Sequence, residues 1–194
     1  MKLSADLIID SPPGWIETVM GDFNSFLQDH ANCERKASAM ALSFVAKYPD
    51  RTEIIPELIE TAVEELEHFR DVYKIMEERG VPLPANIGED LYVKQLLQTC
   101  RTGREERLLD RLLWASVIEC RGAERFRLVY EWLEPGELKQ FYHRLWASEA
   151  KHGHIFVKMA LLYFPEEPVF KRLGELVEIE ARVLRSLEQK PALH

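Results

Sequence analysis

Apolar residues recur every three or four positions along five long stretches of the chain, and no stretch shows the alternation of a half-buried strand. The pattern predicts an all-α fold. The first helix is expected over about 15–47, after Pro12, Pro13 and Gly14 and closed by Tyr48, Pro49 and Asp50, with its apolar stripe running through Phe23, Phe26, Leu27, Ala37, Ala41 and Phe44. The second is expected over 52–79 and stops at Gly80; Pro56 falls in its first turns, where a missing N–H costs nothing. A shorter helix over 90–100 crosses to a third long one at 103–133. Glu134, Pro135, Gly136 and Glu137 mark the break before the fourth, over 135–163, and Pro165 and Pro168 precede a final helix at 169–189.

The long helices fall into two sequential pairs joined by a longer crossover. That connectivity predicts a ferritin-like four-helix bundle with additional crossover and C-terminal helices. The 194 residues suit a single ferritin-like domain spanning 1–194, and a hydrophobic content of 46% can fill its core.

Polar residues interrupt the apolar stripes at particular places. In the second helix, positions 58, 62, 65, 69, 72 and 76 read Leu, Ala, Glu, Phe, Val, Met, so Glu65 is the sole charge in the stripe and His68 lies one turn further on at its border. In the fourth, Tyr142, Leu145, Glu149, His152, Phe156 and Met159 form one line, which places both polar members of a second Glu-x-x-His box among apolar neighbours. Chance alone supplies roughly one such box in a chain of this composition, so the boxes matter because both face inward. Each also has a glutamate about thirty residues upstream: Glu34 on the line Leu27, His30, Ala37, Ala41, and Glu119 among Leu112, Ala115, Ser116 and Ala123. Glu124 is the alternative on the third long helix.

Several buried carboxylates repel one another unless cations neutralise them. Glu34, Glu65, Glu119 and Glu149 balance two divalent ions, and His68 and His152 offer one imidazole nitrogen to each ion. Such a set suits iron or manganese, whereas structural zinc prefers a closed shell of sulfur and nitrogen. The two halves of the set repeat the Glu and Glu-x-x-His arrangement that metal-binding bundles place on facing helices.

Acidic side chains outnumber basic ones, 33 to 25, for a net charge of −8, so DNA is not an expected partner and any polyanion must be met by a local patch. Arg101, Arg104, Arg107 and Arg111 recur at helical spacing, with Arg121 and Arg125 further along, and are the candidate phosphate contacts. His154 shares a flank with Lys151 and Lys158 and reads as solvated. No run reaches membrane-spanning length, and the start MKLSADLIID lacks a secretory pattern, so a cytoplasmic protein is expected. Cys33, Cys100 and Cys120 have neither disulfide nor zinc-knot spacing.

The passages HANCERKAS, EELEHF, IECRGAERF and ASEAKHGHIF, which carry the six proposed ligands, resemble the bacterial tRNA 2-methylthio-N6-isopentenyladenosine hydroxylases, a ferritin-like di-iron monooxygenase family, and the resemblance spans nearly the whole chain. It implies oxygen-dependent hydroxylation of the isopentenyl side chain on the hypermodified adenosine next to the anticodon. Two iron ions would be the cofactor, O2 the co-substrate and the tRNA anticodon stem-loop the partner. No electron-carrier motif is visible, so an external electron-donor protein is implied. The oligomeric state stays open, and a monomer is compatible with the pattern. The competing readings are another ferritin-like di-metal oxidase, peroxidase or small-molecule hydroxylase, and a noncatalytic helical RNA-binding protein.

Overall fold

The computed structural model describes residues 3–85 and 89–194, and within them all regular structure is helical. The helices are α1 (Trp15–Gly21), α2 (Phe23–Lys47), α3 (Ile55–Glu78), α4 (Leu91–Gln98), α5 (Arg104–Trp132), α6 (Glu137–Leu161) and α7 (Glu166–Ser186). The expected first helix is therefore two. Asp22 leaves the helical conformation with φ −143° and caps α2, its carboxylate accepting from the Ser25 N–H at 3.1 Å and from the Ser25 hydroxyl at 2.7 Å. An aspartate three residues before a serine, directly after Gly21, is a start signal that the long apolar stripe masked.

The chain divides into two compact units, one comprising 17–88 and 190–193, the other 1–16, 89–189 and residue 194. The first holds α2 and α3 as an antiparallel pair. The Ser38 hydroxyl donates to the Ala62 carbonyl at 2.8 Å, and the Gln28 amide donates to the Pro82 carbonyl at 2.7 Å. Phe26, Leu27, Ala41 and Phe44 from α2 and Leu58, Ala62, Val72 and Met76 from α3 are buried, as their spacing requires. Gly80, at φ +68°, ends α3: its N–H donates to the Glu77 carbonyl at 3.0 Å and the Val81 N–H to the Met76 carbonyl at 2.9 Å. This closure needs the left-handed backbone that glycine adopts without strain, and buried Val81 seals it.

The second unit is built on α5, whose central turns are buried nearly all the way round because α6 and α7 both pack on it. α5 and α6 run antiparallel, the Ser116 hydroxyl donating to the Gly153 carbonyl at 2.6 Å and Phe126 meeting Tyr142 with ring centroids 5.7 Å apart. α7 lays Val169, Leu173, Leu176, Val177, Ala181 and Leu184 inward. Its first turns are secured by Arg172, which donates to both oxygens of buried Asp110 at 2.9 Å; the same carboxylate receives the Arg101 N–H and guanidinium. One aspartate thus fastens the loop between α4 and α5 to α7.

Candidate metal centre

Within the α2–α3 unit, Glu34, Glu65 and His68 come together, one ligand atom from each lying within 4.8 Å of the others. Glu34 and Glu65 are buried, while the His68 side chain keeps 16% of its exposure. His68 Nδ1 is 3.3 Å from Glu65 Oε2 and 3.8 Å from Glu34 Oε2. The other oxygen of Glu34 is already engaged, since Oε1 sits 2.6 Å from Nε2 of His30, a fully buried histidine one turn earlier that packs against Phe26 with ring centroids 5.8 Å apart. His30 therefore holds the Glu34 carboxylate from behind, the usual task of a residue in contact with a ligand rather than with the ion. The i, i+4 spacing of His30 and Glu34 was the signal for that contact, and only the rotamers separate it from a competing ligand.

The α5–α6 unit brings together Glu119, Glu149 and His152 in the same way, with ligand atoms within 4.8 Å of one another and all three residues buried. His152 Nδ1 lies 3.7 Å from Glu149 Oε2. Small residues make this spacing available. A Cβ at Gly122 would only touch Cγ of Glu149, at 4.0 Å, but one at Gly153 would lie 2.7 Å from Sγ of Cys120, so glycine at 153 is what lets α6 approach α5 beside His152. Sequence periodicity could not reveal that close approach.

Glu124, the alternative to Glu119, is occupied elsewhere: it accepts from the Ser11 N–H at 3.1 Å, from the Ser11 hydroxyl at 2.6 Å and from Arg121 at 3.1 Å. Each triad concentrates two carboxylates and an imidazole in a buried place, without a thiolate in the set. This donor chemistry fits iron or manganese, and burying that much negative charge is unfavourable unless cations answer it.

The arginines expected to meet phosphate are scattered by the fold. Arg121 is fully buried, donating to Glu180 at 2.9 Å, to Glu124 at 3.1 Å and to the Ile9 carbonyl at 2.8 Å. Arg125 is 4% exposed, donates to the Ser11 hydroxyl and stacks over the Trp15 ring at 4.9 Å. Burial, opposed in part by the charges around it, pushes its guanidinium down to about 10. Arg121 and Arg125, expected as RNA contacts, instead clasp the N-terminal segment onto α5, with almost none of either side chain at the surface. Arg101 is committed to Asp110, and exposed Arg104 pairs with Glu105 at 3.4 Å. Arg107 is exposed and Arg111 half-buried near the start of α5.

The family described as tRNA-(MS[2]IO[6]A)-hydroxylase (MiaE) matches residues 3–194. A curated relative, the tRNA 2-(methylsulfanyl)-N(6)-isopentenyladenosine(37) hydroxylase of Pseudomonas putida, is 34% identical over 194 residues, covering 100% of this chain and 93% of the relative. The protein of the same description from Salmonella typhimurium is 26% identical, covering 95% of this chain and 85% of its own length. Among solved structures, Protein 43 with aldehyde deformylating oxygenase activity from Synechococcus superposes with a TM-score of 0.91 at 31% identity, covering 97% of this chain and 94% of that one. The all-α, ferritin-like fold expected from the helix pattern is thereby shown, and no described helix is long and apolar enough to cross a membrane. With the profile match running over nearly every residue and a relative above 30% identity aligned along the whole chain, the protein belongs to the MiaE family of tRNA hydroxylases.

Proposed function

We propose that this protein hydroxylates the isopentenyl side chain of 2-methylthio-N6-isopentenyladenosine in tRNA, next to the anticodon, using oxygen at a pair of iron ions. The observation that carries the reading is the repetition of one buried donor set, Glu34, Glu65 and His68 on α2 and α3 and Glu119, Glu149 and His152 on α5 and α6. Each triad would supply donors to a metal, and the four carboxylates balance two divalent cations in charge. When bound, iron supplies the redox chemistry that activates oxygen.

The protein's own part is to hold, orient and exclude. His30 fixes the rotamer of Glu34 through Oε1 and leaves Oε2 on the side of His68. Glycine at 153 allows the close approach of α6 to α5 at Cys120, beside His152. Phe156, Met159 and Tyr142 line the same inward face of α6, and their apolar surface keeps bulk water away from a reactive oxidant. A five-carbon alkenyl chain suits such surroundings. The reaction also needs two electrons that no side chain here can deliver repeatedly, so an external electron-donor protein in the cytoplasm completes the system.

The test is nucleoside mass spectrometry on tRNA carrying the isopentenyl modification, incubated with iron-loaded protein, a chemical reductant and oxygen. Gain of one oxygen atom on the modified nucleoside is the expected result, and an unchanged nucleoside sinks the proposal. The structural likeness to a protein with aldehyde deformylating oxygenase activity favours one rival, deformylation of an aldehyde at the same residues. A parallel incubation with such an aldehyde separates the two.

A further inference from the structure

Charge is distributed unevenly among the helices. α5 carries six arginines and six acidic residues, and its cations are largely answered, as Arg101, Arg121 and Arg127 illustrate at the loop before it and along its length. α3 carries eight acidic residues against Arg70 and Lys74. α6 is the opposite: beyond Glu137 at its first position its only acidic residue is Glu149, which is buried. The exposed side of α6 is left with Arg144, Lys151 and Lys158, spaced by seven residues and so aligned along one face, about 10 Å apart along the axis. Arg144 and Lys158 enter no ion pair among the described residues. Between them the surface is made of small or neutral side chains, Ala147, Ser148, Ala150 and His154, which leave the helix accessible to a bulky partner.

Aromatic rings adjoin the N-terminal end of this stripe. Tyr130 of α5 and His143 and Trp146 of α6 form a cluster, with centroids 5.0 Å apart for Tyr130 and His143, 6.0 Å for Tyr130 and Trp146, and 5.9 Å for His143 and Trp146. None of the three is fully buried, and Lys139 Nζ lies 5.0 Å from the Tyr130 centroid. Cations that track a phosphate chain beside rings that accept an unstacked base are the two elements single-stranded RNA recognition uses.

We propose that the outer face of α6, with Arg144, Lys151 and Lys158 and the Tyr130, His143 and Trp146 cluster, is the surface on which the substrate RNA docks. The inference rests on the hydroxylase reading and gives its substrate a place. In a chain of net charge −8, a helix that exposes no acidic side chain of its own beyond its first residue lowers the repulsion a polyanion meets there. The same helix carries Glu149 and His152 on its inner face, so RNA docked on its outer side lies against the element that positions that pair.

The test uses full-length, iron-loaded protein and a synthetic anticodon stem-loop bearing the isopentenyl adenosine, with binding followed by fluorescence anisotropy across a salt series. The triple variant R144E/K151E/K158E should weaken binding roughly thirty-fold or more and flatten the log K against log salt slope by about 2, three contacts' worth on single-stranded RNA. Trp146→Ala should weaken binding about ten-fold and leave that slope in place. A control of equal charge change on exposed α7 residues, K171E/R182E/R185E, should come close to wild type in both measures. Thermal melts of all variants check that the fold is intact. If the α6 variant keeps the wild-type slope and affinity, or the α7 control loses as much, while wild-type protein still oxygenates the RNA, the docking face is wrong and the hydroxylase stands. Wild-type protein that neither binds nor oxygenates the RNA overturns both.

Discussion

Arg121 tests whether a residue that looked like an RNA contact is in fact a buried strut. Its guanidinium and the Glu180 carboxylate are both fully buried, 2.9 Å apart, and the same oxygen of Glu180 accepts from the Tyr92 hydroxyl at 2.9 Å. Burial disfavours the charged guanidinium, but its bond to Glu180 outweighs that, and the net effect holds it more firmly protonated than usual. Arg121→Met replaces it with an apolar side chain that fits the space. Glu180 must then either stay charged in an apolar surrounding or take up a proton, and Glu124 and the Ile9 carbonyl each lose a donor. Removing one partner of a buried pair costs about 3–5 kcal/mol. With a urea dependence of about 2–3 kcal/mol per molar, the unfolding midpoint should fall by about 1–2.5 M. Glu180→Leu in the same chain removes the stranded carboxylate, so the double variant should recover about 2 kcal/mol or more relative to additivity. RNA affinity and its salt slope should not change in Arg121→Met. A midpoint shift corresponding to less than about 1 kcal/mol, or a slope reduced by about one with stability intact, refutes the strut and restores the RNA contact.

The remaining predictions concern the site and its supports. Glu149→Ala and His152→Ala should lower bound iron measured by elemental analysis, as should Glu119→Gln, whereas Glu124→Gln should leave the metal content unchanged; equal losses for Glu119 and Glu124 would remove Glu119 from the ligand set. Gly153→Val drives a side chain into Cys120 Sγ, where even a Cβ would lie at 2.7 Å, and should cost about 1–3 kcal/mol, partly relieved by Cys120→Ala; a neutral effect means the α5–α6 approach is not limited there. For Asp110, burial pushes the carboxyl up, but bonds from Arg101 and Arg172 outweigh it and hold the group below its ordinary 3.8. A depressed carboxyl contributes stability above its unfolded value that is lost as pH falls through the folded one. The stability difference between wild type and Asp110→Asn should accordingly be largest above about pH 4 and shrink below it in urea titrations; a difference that grows on acidification contradicts the assignment.

The sequence by itself determined the class of fold, the order of the helices and the six side chains proposed to hold metal. These follow from local rules. Periodicity near 3.6 fixes which residues share a face, so a glutamate or histidine on an apolar stripe announces itself, as Glu65 and His152 do. Gly80 and Pro165 mark helix ends because their backbone restrictions act within a few residues, whereas Pro168, expected to precede the last helix, sits in its first turn, where its missing N–H costs nothing, and the cap at Asp22 is masked by a strong stripe.

Tertiary structure decided what depends on partners distant in sequence. Arg121 and Arg104 look alike in the sequence, yet one lies against Glu180, 59 residues away, and the other at the surface, because only packing settles which side of α5 is covered by α7 and by the N-terminal segment. Glu119 and Glu124 were separated the same way, by the arrival of Ser11 from the far end of the chain. His30 became a support for Glu34 only once rotamers were fixed. Long α5 was the hardest to read because it is covered on several sides: its apolar surface has no single direction, and faces cannot be assigned from a pattern that points everywhere.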